Sequence, residues 1–220
     1  MTNDHSSITA HQCQILLGSA SPRRRELMAG LDIPFTAVSI DADESYPADL
    51  QAGDIPYYIS RAKARAYEHQ LRPDQILITA DTIVWLDGHM LGKPHTEAEA
   101  VEMLKRLRNK THQVYTAVTI AQKISNLQCP ISNIKSPITN NQTTVSYETI
   151  VDCTDVTFGD LTDEEIAYYV AKYRPLDKAG AYGVQEWIGY VACTAINGSY
   201  FNVMGFPVHR VYPLLKARLH

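Results

Sequence analysis

Sulfur is scarce in this chain. Its 220 residues include four cysteines, Cys13, Cys129, Cys153 and Cys193, and no two form a CxxC pair. That spacing suggests no zinc site and reads as reduced thiols in a cytosolic protein. Long apolar runs are also missing, so no segment is expected to span a bilayer. Residues 1–13 are polar and lack the apolar core of a secretory signal; they read as a frayed, disordered tail. Positive charge is not in excess either: the net charge is -4. This argues against a general nucleic-acid surface but allows cations to gather in one cleft. GxxxxGK[ST], HExxH and GxSxG are all absent, and no Cys/His arrangement suggests a thiol nucleophile. No repeat and no long linker divides the chain, so the expectation is a single domain over residues 14–220.

What is present reads as alternating strands and helices. With 45% hydrophobic and 20% charged residues the composition is that of a globular domain. Ile15–Leu17 predicts a buried strand, followed by the small-residue loop Gly18–Ser21. Ser21 suits a helix N-cap and Pro22 the first helical position, with the helix stopping at Gly30. Phe35–Ile40 predicts a second strand. Asp54 is expected to cap a helix from Ile55 to about Gln70, whose buried stripe is Ile55, Tyr58, Ile59, Ala62 and Ala66. Thr96 with Glu99, and Thr162 with Glu165, form capping boxes that open helices to about Arg108 and to Tyr173. Val114–Ala121 and Tyr147–Phe158 read as long strands. Residues 122–146 between them, rich in Asn, Ser, Thr and Gln, read as a polar insertion or extended hairpin arm. Asn197-Gly198 predicts a second hairpin turn, and Pro207 opens a last helix. The mixture implies an α/β or α+β domain around one sheet.

The most informative residue is Asp81. It ends the apolar run Gln75–Ala80, and Thr82–Leu86 leads from it into the turn Asp87-Gly88. Asp-Gly between apolar runs is a strong hairpin signal. The turn sets Leu86 opposite His89, Val84 opposite Leu91 and Thr82 opposite Lys93, which returns Lys93 to the side of Asp81. Such a pair reads either as a surface salt bridge or as a metal ligand or general base beside a phosphate-binding cation.

Other segments bear on that choice. Arg23, Arg24 and Arg25 occupy the first turn of a helix, where cations oppose the dipole; an anionic ligand would account for them. Asp41, Asp43 and Glu44 form an acidic loop that could join Asp81 around a divalent cation. Lys63 lies on the shoulder of its helix stripe, either snorkelling or aimed along the protein body. In Asp177–Gln185, Tyr182 could wall off a base, and the Gln185 amide suits a pyrimidine edge. A metal-dependent phosphoryl site fits these groups better than covalent catalysis.

Taken in order, Ser19–Arg24 with Glu26-Leu27, Ala62-Lys63-Ala64, Ala80–Val84, Gly92-Lys93-Pro94, Leu176–Gly183, Ile196–Tyr200 and Val203–Pro207 resemble the Maf family of nucleoside triphosphate pyrophosphatases. The resemblance implies a single α/β domain with an elongated, mixed central sheet flanked by helices and a deep nucleotide cleft, as in the related ITPase-like architecture. It implies hydrolysis of a nucleoside triphosphate to the monophosphate and pyrophosphate, with Mg²⁺ or Mn²⁺, in the cytoplasm and often as a homodimer. By position, Asp81 matches the proton acceptor; Arg23, Thr82 and Gln185 match specificity positions; Ser19, Ser21, Glu44, Lys63 and Lys93 match other cleft residues. Asp81 and Glu44 are the expected metal ligands, and Arg24 belongs to the expected triphosphate cradle. The Ala-Tyr-Gly-Val-Gln form of residues 181–185 resembles the dTTP/UTP branch, with modified pyrimidine nucleotides as further substrates. Glu186-Trp187 stands where a small, glycine-containing turn is usual. Two alternatives remain at this level: a nucleotide-binding regulator of septum formation, and a purine house-cleaning pyrophosphatase.

Overall fold

One strand organises the molecule. In a computed structural model describing residues 13–124 and 144–219, Gln75–Leu86 (β3) pairs with neighbours on both edges. Along one edge it runs antiparallel to Thr111–Ile124 (β5), from Ile76 opposite Gln122 to Trp85 opposite Gln113. Its other edge is divided. The first half pairs parallel with Gln14–Gly18 (β1), ending at Thr79 opposite Gly18. The far end pairs antiparallel with His89–Leu91 (β4), beginning at Val84 opposite Leu91. Between these neighbours Ala80–Ile83 carries no strand on that edge among the described residues. Asp81 and Thr82 lie in this gap.

The rest of the sheet extends outward from β3. Phe35–Val38 (β2) lies parallel to β1, and Thr144–Phe158 (β6) and Cys193–Asn197 (β7) continue antiparallel beyond β5. The order is β2-β1-β3-β5-β6-β7, with β4 as the seventh strand at the split. The helices are Pro22–Ala29 (α1), Asp54–Tyr67 (α2), Glu97–Leu107 (α3), Asp163–Tyr173 (α4), Trp187–Ala192 (α5), Tyr200–Val203 (α6) and Val208–Leu219 (α7). This is the single α/β domain with a mixed, helix-flanked sheet that was expected. Among the described residues no helix is long and apolar enough to cross a membrane.

Alternation along β3 assigns its side chains to two layers. Ile76, Ile78 and Ala80 pack with Met28 of α1 and with Val211 and Leu215 of α7. Leu77 packs with Ala64 of α2, and Ile83 with Ile55 and Ile59 of the same helix. Asp81 shares the face of Leu77, Thr79 and Ile83, towards α2. Thr82 shares the face of Ala80, towards α1.

Several local expectations change in the folded chain. The β3–β4 turn has the expected register, with Asp87 at φ 51° and Gly88 at φ 80°, but pairing ends at Leu91 before reaching Lys93. Strand β2 is shorter than predicted, ending at Val38. Asp54 is the first residue of α2 rather than its cap, which is Gly53; the carboxylate acts through the positive end of the helix. The buried face of α2 is Ile55, Pro56, Ile59, Ser60 and Ala64, with Tyr58 exposed. Ser60 belongs inside because its hydroxyl bonds Thr119 on β5 (2.9 Å), while its carbonyl accepts from Thr79 (2.7 Å). The stripe is thus rotated so that Lys63 lies within it. At α3, Thr96 caps Glu99 N–H as expected, but the Glu99 carboxylate accepts from His95 N–H (2.7 Å), one residue before the cap. The capping box at Thr162 is complete. Asn197-Gly198 is not a hairpin turn: β7 pairs with β6 and the chain continues into α6. Gly198, at φ 134°, is needed because a Cβ there would lie 2.6 Å from the Thr154 hydroxyl.

At the ends of the polar stretch, Gln122–Ile124 pairs with Thr144–Ser146. Those residues are strand, whereas 125–143 lie outside the described residues, as does the tail 1–12.

Candidate active site

The gap in the β3 edge opens into a cleft of about 450 Å³ at the carboxyl ends of β1 and β2. This is where ligands bind in open sheets with parallel strands, because adjacent connections diverge there. Ser19, Ser21, Arg23, Arg24, Glu44, Lys63, Asp81, Thr82, Lys93, Tyr182 and Gln185, drawn from distant parts of the chain, all line it.

On the floor, Lys63 from α2 meets Asp81 from β3. The Lys63 Nζ lies 2.8 Å from Asp81 Oδ1 and 3.0 Å from Glu44 Oε1. The Lys63 and Asp81 side chains are only 14% and 13% exposed, so their attraction is weakly screened; Glu44, at 53%, sits on the rim. The ammonium beside Asp81 is therefore Lys63, not Lys93. Lys93 lines the same cleft from beyond β4, exposed and without an ion pair among the described residues.

Thr82, pointing the other way, meets Arg24. The guanidinium donates to Thr82 Oγ1 (2.9 Å), Ala80 O (3.0 Å), Gly205 O (2.8 Å) and Ser19 Oγ (3.4 Å). The Ala80 carbonyl is one that the split edge leaves without a strand partner. Burial holds the Arg24 pKa below its ordinary value, although the Asp81 and Glu44 charges act in the opposite direction. With four of its five N–H donors engaged, Arg24 fastens the Ser19 loop to β3 more than it faces a ligand. The anchoring continues through Thr82 to Thr116 Oγ1 (3.0 Å), which bonds Asn202 O of α6 (3.0 Å).

The loop before α1 is folded on itself. Ser21 N–H donates to Ser19 Oγ (3.2 Å), and Ser21 occupies the N-cap without a capping bond from its side chain. Arg25 donates to Ser19 O (3.3 Å). Arg23 instead reaches across the cleft to Asp177 (3.5 Å). Asp177 and its neighbour Lys178 carry no assigned role at the level of sequence. Lys178 is a buried cation, paired with Asp177 (2.8 Å) and Glu186 (3.2 Å). A lysine within a small-residue loop was the available signal.

Tyr182 forms part of the wall, but its ring belongs to the core. It lies edge-on to Phe158 and His112, and its hydroxyl bonds His112 Nε2 (2.8 Å). Gln185 differs: its Oε1 is buried and without a hydrogen-bond partner among the described residues, at the edge of the cleft. An unpaired buried acceptor is costly and suits a donor on a ligand.

His112 itself makes a stability prediction. Burial lowers its pKa to about 4, opposed by Asp155. The unfolded chain binds that proton near the ordinary value of about 6.5. The folded protein therefore has its full stability from this group above about pH 6.5 and loses about 3 kcal/mol as pH falls towards 4. Urea denaturation of His112→Gln should show a shallower decline over this range than wild type. Coincident slopes would mean that another group sets the decline.

Two carboxylates, Asp81 and Glu44, could serve as donors to a divalent cation, and both already flank the Lys63 ammonium. Among the described residues no group of three or more His, Cys, Asp or Glu side chains is placed to hold a metal ion. Two carboxylates with substrate phosphates and water completing the shell is a usual Mg²⁺ arrangement, so the residues fit.

Fold and cleft together define an α/β protein with an acid–lysine pair beneath a basic, small-residue loop. Comparison with known families gives the more particular identification. Residues 14–218 match the family model described as Maf-like protein, and the chain belongs to the Maf family. It is 49% identical over 204 residues to a dTTP/UTP pyrophosphatase of Bacteroides thetaiotaomicron, covering 92% of this chain and 95% of that one. Proteins of the same description from Phocaeicola vulgatus (46%, covering 92% and 95%) and Porphyromonas gingivalis (45%, covering 92% and 93%) are also similar. A solved nucleoside-triphosphatase / dITP/XTP pyrophosphatase from Mycobacterium abscessus aligns over 94% of this chain and 98% of its own, at TM-score 0.40 and 10% identity.

Proposed function

We propose that this protein hydrolyses dTTP, UTP and modified pyrimidine nucleoside triphosphates to the monophosphate and pyrophosphate. The observation that carries this reading is Asp81 in the break of the sheet edge, paired with Lys63 on the floor of a cleft that Arg23 and Lys93 also line. The names of the similar proteins support the substrate class.

In this reading the triphosphate lies along the Ser19–Arg24 loop, with α1 presenting the positive end of its dipole. Asp81 orients a water and takes its proton as the water oxygen bonds to the α-phosphorus. The bond from that phosphorus to the bridging oxygen breaks, and pyrophosphate leaves with the electron pair. Lys63, Lys93 and Arg23 offset the charge that gathers on the phosphate oxygens. Lys63 also orients the Asp81 carboxylate through its 2.8 Å contact with Oδ1. Asp81 and Glu44 are the residues that would hold Mg²⁺ or Mn²⁺, which would polarise the phosphate when bound. The cytoplasm as location, a homodimer as assembly, and no nucleic-acid or membrane partner belong to the same reading. Light scattering after size exclusion tests the dimer.

The deciding experiment is pyrophosphate release from a panel of nucleoside triphosphates, with and without each metal. Release from dTTP and UTP is the expected result. Activity confined to purines would overturn the base assignment, and no turnover by folded protein would favour a binding role. Gln185→Ala should shift the preference among bases by roughly tenfold, the worth of about one hydrogen bond, with a smaller change in turnover on the best substrate. An unchanged preference would remove Gln185 from base recognition.

A further inference from the structure

We propose that Glu186 is a positioning residue for base recognition: it latches the Gly183–Gln185 turn to α4 and to Lys178. This rests on the pyrimidine triphosphate reading above and adds to it a residue that does not itself line the cleft.

Glu186 sits where three parts of the chain meet. Its Oε2 accepts a hydrogen bond from the Tyr169 hydroxyl of α4, and its Oε1 pairs with Lys178 Nζ at 3.2 Å. The Tyr169 hydroxyl in turn accepts from Gly183 N–H at 3.1 Å, and Glu186 N–H donates to Gly183 O at 2.9 Å. Gly183 is thus held through both its backbone groups, each leading to Glu186. Tyr169 is fully buried, Lys178 is 7% exposed, and the Glu186 side chain is 19% exposed.

Packing shows how this fixes Gln185. A Cβ on Gly183 would lie 3.0 Å from the Glu186 carboxyl carbon and 3.3 Å from Gln185 Oε1. Carboxylate and amide therefore press on the same glycine, and movement of one changes the room available to the other. Behind them, a Cβ on Gly189 would fall 1.8 Å from Val184 O, so α5 closes directly on the turn. The unpaired Gln185 oxygen is useful only if held at the cleft wall, and a displacement of about 1 Å can cost a hundredfold in a positioned contact.

A buried ion pair is weak evidence for stability, since replacing it with packed apolar groups is often neutral. Its value here lies in orientation. Lys178 bridges the latch to Asp177, and Asp177 faces Arg23 across the cleft mouth, which links the base end to the phosphate end.

The test combines backbone amide exchange in the nucleotide-free protein with kinetics on dTTP, UTP and GTP, for wild type, Glu186→Ala, Glu186→Gln and Tyr169→Phe. Exchange at the amides of residues 183 and 186, bonded to the Tyr169 hydroxyl and to Gly183 O, should quicken at least tenfold in Glu186→Ala and Tyr169→Phe, with protection in the central strands unchanged. In Glu186→Ala, KM for dTTP should rise about tenfold with kcat within about threefold, and the preference for pyrimidines over GTP should narrow. Glu186→Gln retains an acceptor for Tyr169 and should recover most of the exchange protection and of the preference. Wild-type exchange in Glu186→Ala would overturn the latch. So would faster exchange with unaltered base preference, or loss of protection throughout the sheet. If wild type turns over no pyrimidine triphosphate, the substrate reading fails by itself, and the exchange data still decide whether Glu186 holds the turn.

Discussion

Replacing Asp81 with asparagine is expected to lower pyrophosphate release by roughly 10²–10⁴-fold, the usual contribution of a positioned acid–base group. Asparagine keeps the shape and an oxygen for the Lys63 ammonium but cannot take a proton from water. The fold should survive, because Lys63 keeps its second partner, Glu44, at 3.0 Å and is not left as a buried lone charge. Near-normal turnover in the folded variant would discard the assigned role. Circular dichroism and a urea midpoint close to wild type establish that the loss is chemical. Lys63 lies within 3.0 Å of both carboxylates, so Asp81 and Glu44 would share a bound cation only with the Lys63 ammonium displaced. A second comparison, KM for dTTP in Asp81→Asn at several Mg²⁺ concentrations, reports whether the metal relies on that carboxylate.

The second large effect is expected in stability. Arg24→Met removes hydrogen bonds to Ala80 O, Gly205 O, Thr82 Oγ1 and Ser19 Oγ together. Ala80 lies in the sheet interior, and its carbonyl has no strand beside it at the split, so the acceptor would be stranded. Unsatisfied buried groups cost about 1–3 kcal/mol each. We expect about 3–5 kcal/mol in total, the range seen when one partner of a buried charged network is removed. Arg24→Lys should restore little, since an ammonium cannot span acceptors on three chain segments with a planar fork. Urea unfolding without nucleotide is the appropriate measurement. A loss below about 1 kcal/mol, or full rescue by lysine, would make Arg24 mainly a ligand contact.

These expectations divide according to how far apart in the chain their causes lie. Helix starts at Ser21-Pro22, Thr96 and Thr162, the Asp87-Gly88 turn and the long strands around residues 115 and 150 were legible because each depends on neighbours within a few positions. Asp81 was legible as a strand residue beside such a turn. The family motifs also placed Lys63, Arg23 and Gln185 in one cleft. Where prediction failed, a distant partner had intervened. Ser60 was turned inward by Thr119 and Thr79, and that rotation carried Lys63 into the α2 stripe. Gly198 served close approach to Thr154 rather than a hairpin.

The partner of Asp81 illustrates the limit most clearly. Hairpin register alone pointed to Lys93, since the turn would return it opposite Thr82. Pairing ended two residues earlier, and strand alternation directed Asp81 towards α2, where Lys63 was waiting at 2.8 Å. Local chain chemistry thus decided which elements form and which residues carry charge, because dihedral preferences and capping bonds act over a few residues. The break in the β3 edge, the faces of Asp81 and Thr82, and the latch at Glu186 were decided only by packing, because each depends on segments brought together from separate parts of the chain.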